Sequence, residues 1–108
     1  MSTRIIVATA ETVPGRSITA IVGVAKGNTI RARHIGSDIV AGLRNIVGGE
    51  VTEYTKLMAE AREQALDRMM QNAASMGADA VVGMRMTTSM VAQGAAEILA
   101  YGTAVKLD

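Results

Sequence analysis

A long amphipathic stripe runs through the second half of this sequence. From Tyr54 to Met76, small and apolar residues recur at steps of three and four, the spacing that aligns side chains on one face of an α-helix. Glu50 suits the N-terminal end because the helix dipole favours negative charge there, and Gly77 suits the position just after the helix. The pattern therefore predicts a helix that begins near Glu50 or Thr52, ends at Met76 and packs one face against another layer.

These layers must be built almost without aromatic rings. The chain has 108 residues with no Phe, Trp or Cys, but with eight Met and eleven Gly. Small residues let backbones approach closely, and Met fills irregular gaps. The absence of Cys excludes disulfides and thiolate-held zinc or iron–sulfur centres. With 2% aromatic residues and a net charge of +1, the chain lacks a basic, ring-bearing surface, so no nucleic-acid partner is expected.

Apolar residues are more abundant than one small domain can bury. They make up 49% of the chain, and the mean hydropathy is +0.25, whereas a domain of this size buries only about two thirds of its unfolded surface. A membrane-spanning helix needs about 20 consecutive apolar residues, and the best runs are short, such as 18–25. The N-terminal run at 5–8 is too short for a signal sequence. We therefore expect a cytoplasmic protein without a membrane partner, whose apolar surplus lies at contacts between its own copies.

Four segments alternate between two sets of side chains or are rich in β-branched residues, as strands are. They predict strands over residues 4–11, 17–26, 80–91 and 95–107. Pro14-Gly15, between the first two strands, predicts a type II turn because glycine supplies the positive φ. Gly27-Asn28 predicts the end of the second strand, with a short extended or irregular piece after it.

Strict alternation also predicts which side chains share a sheet face. One face of the second strand is predicted to carry Ile18, Ala20, Val22 and Val24. One face of the third strand is predicted to carry Ala80, Val82, Met84, Met86, Thr88 and Met90. Glycine inside these strands, at Gly23 and Gly83, indicates another backbone or subunit passing nearby.

A second, shorter helix is predicted between the second and third strands. Ser37 can cap it, and Asp38 occupies its first turn. Gly48-Gly49 ends it, after an apolar stripe formed by Ile39, Leu43, Ile46 and Val47. The element order is then β-β-α-α-β-β, which predicts one α+β domain over residues 1–108, with an antiparallel sheet and helices on one of its faces.

Motifs spread over nearly the whole chain resemble the YbjQ-like family. They are PG at 14–15, RARHIGSDI at 31–39, GLRNIVGGE at 42–50, Tyr54, ARE at 61–63, GADAVV at 77–82 and QGAAEILAYGTAV at 93–105. The resemblance implies a small bacterial or archaeal protein with a dodecin-subunit-like α+β fold, one long helix packed on one sheet face, and assembly into a ring-shaped homopentamer. The family is often labelled "putative heavy-metal-binding". The resemblance carries no reaction and no catalytic residues.

The heavy-metal label fits the composition poorly. Soft metals favour thiolates, helped by imidazoles, and the chain has no Cys and one His. Its Met residues lie at helix or strand spacing, which is typical of a core. We therefore expect no metal and no cofactor. The alternative is a divalent metal ion held by His34, Glu50 and Glu53 through tertiary contact or at a subunit interface.

A local basic cluster precedes the shorter predicted helix. Arginine forks and a helix N-terminus together can hold an anion, so Arg31, Arg33, His34 and Asp38 are candidate residues for an anion or other small ligand of unknown identity. Asp38 would oppose a bound anion. The alternative interpretation is a set of solvated or inter-subunit salt-bridge arginines, with His34 hydrogen-bonded in a loop or interface.

No catalytic constellation can be recognised in the sequence. The serines have no nucleophile motif around them, one histidine leaves little choice of base, and no phosphate-binding glycine loop is present. We therefore predict a protein that is not an enzyme, with no catalytic residues. Tyr54 and Tyr101 have polar ends that need partners when buried, and we interpret them as core or interface anchors.

Overall fold

The fold is given by a computed structural model that describes residues 5–32, 52–92 and 94–108, without the side chains at 32 and 52–54. The elements are β1 Ile6–Val7, β2 Ile18–Ala32, α1 Thr52–Ser75, β3 Ala80–Ala92 and β4 Ala95–Leu107. The described order β-β-α-β-β differs from the predicted β-β-α-α-β-β. The helix predicted to begin at Ser37 lies outside the described residues.

The sheet is mixed, so the prediction of a purely antiparallel sheet is wrong. The strand order is β1-β3-β4-β2, and β4 pairs antiparallel with β2 on one side and with β3 on the other. β1 pairs parallel with β3, with Ile6 opposite Ala80. The Pro14-Gly15 turn has the predicted type II features, since Gly15 has φ +80° and the Arg16 N–H donates to Val13 O at 3.1 Å. It carries the chain from one sheet edge to the other instead of closing a hairpin.

Two strand lengths differ from the prediction. β1 is a short strand, and the chain after it stays beside β3 through irregular hydrogen bonds such as Gly83 N–H to Ala10 O at 2.8 Å. β2 continues through Gly27 and Asn28 to Ala32, so the predicted strand end at Gly27-Asn28 is wrong. Gly27 instead lies where α1 contacts the strand: a Cβ there would meet the helix backbone at Ala65.

Bulges change the predicted sheet faces. In β3, Val82 is opposite Thr103 but Arg85 is opposite Tyr101, so one extra residue lies between them, at Gly83, which has φ +62°. Ala80 and Val82 therefore lie on the face opposite to Met84, Met86, Thr88 and Met90. A similar register shift between Ile21 and Gly23 in β2 places Val22 against the core while Val24 is exposed.

The core lies between α1 and the sheet, as the stripe predicts. α1 packs mainly on β2 and next on β4. The fully buried helix residues are Ala61, Ala65, Met69 and Ala73, and they meet Ala25, Ile98, Ala100 and Ala104 of the sheet. Gly77, with φ +78°, follows the helix as predicted. Among the described residues, no helix has both the length and the apolarity that crossing a bilayer requires.

The hydroxyl of Thr29 is buried beneath α1 without a hydrogen-bond partner among the described residues. A buried, unpaired hydroxyl costs free energy, and valine has nearly the same shape. We expect Thr29→Val to raise the free energy of unfolding by about 1 kcal/mol, measured by urea denaturation followed by circular dichroism. Thr12→Val, at an exposed loop position, is the control. If Thr29→Val were destabilising relative to Thr12→Val, the hydroxyl of Thr29 would have a partner in solution.

Candidate functional site

A pocket opens at the distal end of the sheet, beside the turn at Gly94. Its cavity volume is about 140 Å³, and it lies between the first half of α1 and the ends of the three long strands. The side chains that form its walls and floor are Arg31, Leu57, Met58, Met90, Ala95 and Ala96. Arg31, one of the predicted site residues, lines this cavity.

Strand register explains how the pocket forms. Ala96 of β4 is opposite Arg31 of β2 and also opposite Met90 of β3. These three side chains therefore form a row across the sheet, with the small methyl group of Ala96 between two long side chains. Leu57 and Met58 lie above this row on α1. The hollow thus follows from a small residue flanked by large ones under a helix.

The polar part of the pocket is the guanidinium of Arg31. Its Nη2 donates to Oε1 of Gln64 at 2.9 Å. The amide of Gln64 is neutral. Within the described part of the chain, the salt bridge is formed by Arg16 and Asp108, at 3.8 Å, and not by Arg31. Glu97, the carboxylate next to Ala96, accepts a hydrogen bond from Asn28 at 3.0 Å. The pocket therefore combines one positive charge with apolar walls.

The structure describes only part of the predicted anion site. Arg31 lines the pocket, whereas Arg33, His34 and Asp38 lie outside the described residues, so their grouping stays a prediction. For the metal alternative, His34 and Glu50 also lie outside the described residues. Glu53 belongs to α1, but its side chain is not described.

Of the two tyrosines predicted as anchors, the structure describes the side chain of Tyr101. It is 38% exposed on the sheet face opposite α1, between Lys26 and Arg85 on the neighbouring strands. Tyr101 is therefore not part of the core of the described chain, and its role as an interface anchor stays a prediction. Tyr54 lies in α1, but its side chain is not described.

The sequence missed the apolar walls of the pocket. Met58 and Met90 were predicted to be parts of a helix stripe and a strand face, because helical and strand periodicity each describe one element alone. Only the register of β2, β3 and β4 brings Arg31, Ala96 and Met90 into one row. The sequence feature that indicates the pocket is the Ala95-Ala96 pair directly after a turn. Two such small side chains at the start of a strand leave space between the sheet and the helix.

In its described residues, this chain is a small α+β protein in which one long helix packs on one face of a four-stranded mixed sheet. The chain belongs to the YbjQ-like family: the family model YbjQ_1, described as "Putative heavy-metal-binding", matches residues 5–108. The resemblance of its motifs to this family is thereby confirmed.

Relatives of known sequence support this assignment. A UPF0145 protein from Methanosarcina acetivorans is 60% identical over 102 residues, covering 94% of this chain and 96% of the relative. A UPF0145 protein from Archaeoglobus fulgidus is 58% identical over 107 residues, covering 99% of each. Neither name states an enzymatic activity.

A solved structure supports the fold. It is the crystal structure of a protein of unknown function in the DUF74 family from Pediococcus pentosaceus. Its TM-score is 0.60 at 17% identity, and the match covers 96% of this chain and 98% of the other. At this identity the likeness concerns the fold alone.

The donor set of the described residues does not fit the heavy-metal description. No three His, Asp or Glu side chains of this part of the chain come together in a way that could hold a metal ion, and the whole sequence has no Cys. The cavity at Arg31 contains a guanidinium, which repels cations. We therefore derive no metal chemistry from these residues.

Proposed function

We propose that this chain is a non-enzymatic, cytoplasmic protein that acts as a homo-oligomer, with one domain over residues 1–108. A pentameric ring is the proposed assembly, and the number five rests on the family resemblance alone. The observation that carries self-association is the outer half of β3, residues 85–92. In the described chain this half strand is exposed along its whole length.

The outer half of β3 has an edge that could take another strand. β1 pairs with β3 only at Ala80 and Val81, and the chain after β1 reaches β3 no further than Arg85. Beyond that residue, no described segment pairs with the outer edge of β3. Arg85 is also the only charged residue in 85–92, and no proline is present. Charged residues and prolines commonly keep an exposed strand edge from pairing with another chain. An unpaired edge that has few of them is a template for a second strand.

Both faces of this half strand expose apolar side chains. Met86 is 36% exposed and Met90 is 80% exposed on the side of α1, while Val91 is 51% exposed on the other side. The helix does not cover them because it packs mainly on β2. Burying apolar side chains of this type against another surface lowers the free energy of the system.

A second uncovered surface lies on β2, on the sheet face opposite α1. Ile21, Val24 and Ile30 are 74%, 65% and 56% exposed there. Two different apolar surfaces on one chain permit head-to-tail contacts, which close into rings when the rotation is right. The described chain is also elongated: its radius of gyration is 17.3 Å, against about 13 Å for a compact domain of this size. We therefore assign the surplus surface to a second copy of this chain.

Sedimentation velocity and native mass spectrometry test this proposal. We expect the wild-type protein to be an oligomer at micromolar concentration. We expect Val91→Lys to weaken the assembly by about tenfold or more, because the contact would bury an ammonium group. Thr12→Lys adds the same charge on an exposed loop and should assemble like the wild type. A monomeric wild type would overturn self-association, and unchanged assembly of Val91→Lys would overturn the role of β3.

Anion binding is a second candidate function. It is favoured by the Arg31 guanidinium, which lines a cavity and has a neutral partner in Gln64. Within the described ranges, no carboxylate is paired with Arg31, and an arginine in that state keeps donors available for an anionic ligand.

A further inference from the structure

We propose that the pocket at Arg31 binds a small apolar carboxylate, and best one with an aromatic ring. The inference deepens the anion-binding candidate by naming a ligand class. Every residue it uses belongs to one chain, and one of them, Met90, also lies on the surface assigned above to a second copy.

The cavity volume sets the size of the ligand. At about 140 Å³, it is close to the roughly 150 Å³ of an engineered apolar cavity that binds benzene. The ligand body should therefore have about six to nine non-hydrogen atoms. A nucleotide, a sugar phosphate or a long acyl chain would leave most of its atoms outside this space.

The walls determine the character of the ligand body. Leu57 and Met58 lie on one side, Met90 lies on the other, and Ala96 forms the floor. These side chains offer no hydrogen bonds to a hydroxylated ligand. Thioether sulfurs make favourable contacts with the edges of aromatic rings, and the flexible Met side chains can close on a flat ring. A planar apolar body therefore fits better than a polar one.

The guanidinium of Arg31 determines the ligand's charged end. Arginine has five N–H donors in a planar fork, and Gln64 accepts from one of them, at Nη2. The remaining donors can bind both oxygens of a carboxylate. Phosphate would bring a second charge and further oxygens beside apolar walls that offer them no donors. A metal cation would be repelled by the arginine.

Isothermal titration calorimetry with sodium benzoate tests the inference on the full chain. We expect a dissociation constant of about 0.1–1 mM, as is typical of a ligand of this size. Benzamide has the same shape without the charge, and it should bind at least tenfold more weakly. Inorganic phosphate and Zn²⁺ serve as comparison ligands and should give no saturable binding in the same range.

Two variants locate the binding. Arg31→Met removes the guanidinium, and Ala96→Leu fills the floor while keeping the charge, so each should weaken benzoate binding at least tenfold. Arg62→Met makes the same charge change on an exposed position of α1 and should bind like the wild type. Circular dichroism verifies that each variant is folded. The NMR chemical shifts of the methionine methyl groups give a second measure of binding at the pocket walls, which does not rely on the calorimetric signal.

Four outcomes would overturn the inference. They are no benzoate binding at about 10 mM, binding that Arg31→Met leaves unchanged, equal affinity for benzamide, and preferential binding of phosphate or Zn²⁺. Sedimentation of the same samples separates this test from that of assembly. A monomeric wild type that binds benzoate through Arg31 would remove the oligomer and keep the pocket, whereas an oligomer that does not bind benzoate would do the reverse.

Discussion

Gly27→Ala is expected to lower the free energy of unfolding by about 3 kcal/mol or more, and the melting temperature by roughly 10–20 °C. Gly27 lies on β2 directly beneath α1. A Cβ at this position would be 2.5 Å from the carbonyl oxygen of Ala65 and 2.6 Å from the carbonyl carbon of Arg68, and it would also overlap the amide nitrogen of Met69. All three atoms belong to the helix backbone, so no side-chain rotation can relieve the contact.

The helix could accommodate Gly27→Ala only by moving away from β2. That movement would strain two hydrogen bonds that join the two elements. The amide of Lys26 donates to Oδ1 of Asn72 at 2.9 Å, and Nη1 of Arg68 donates to the carbonyl of Asn28 at 2.8 Å. The loss therefore includes packing and hydrogen bonding together.

Urea denaturation measures the effect of Gly27→Ala, and Gly15→Ala is the control. Gly15 has φ +80° but no atom within 4 Å of an added Cβ, so its substitution reports backbone strain without a clash. We expect Gly15→Ala to cost about 1 kcal/mol. Equal losses in the two variants would mean that the close approach of α1 to β2 does not exist in solution.

Local patterns predicted the helices and strands well where apolar residues recur with a single period over a long segment. The stripe that ends at Met76 predicted α1 to within a residue or two, and β4 matches its predicted range. Gly27 shows why the predictions of other element boundaries were wrong. Glycine marks a chain break in one setting and a close backbone approach in another, and only the position of α1 distinguishes the two.

The arrangement of the sheet could not be predicted from local patterns. The parallel pairing of Ile6 with Ala80 joins residues far apart in the chain. The bulge at Gly83 adds one residue to β3 and thereby exchanges its two faces beyond that point. The same holds for the candidate site. Its charge identified Arg31 in the sequence, but the apolar neighbours of Arg31 come from three other elements. Only the strand register and the position of the helix bring these elements together.

A core made from small residues depends strongly on its few large ones. Met69 is fully buried and is among the largest side chains with that property. On α1 its buried neighbours along the stripe are Ala61, Ala65 and Ala73, which cannot expand into a void. Because these methyl groups have no torsions to adjust, the side of a cavity that they form would stay open.

Met69→Ala is therefore expected to destabilise the fold by about 3–5 kcal/mol, in the upper part of the range for such substitutions. Met69→Leu conserves volume and should cost less than about 1.5 kcal/mol, so the pair separates the cavity from the loss of the thioether. Chemical denaturation at several protein concentrations also separates folding from assembly, since only the assembly contribution changes with concentration. If Met69→Ala and Met69→Leu lost the same free energy, the core would be able to collapse around the deletion, and the close helix–sheet packing inferred from Gly27 would have to be looser than the structure describes.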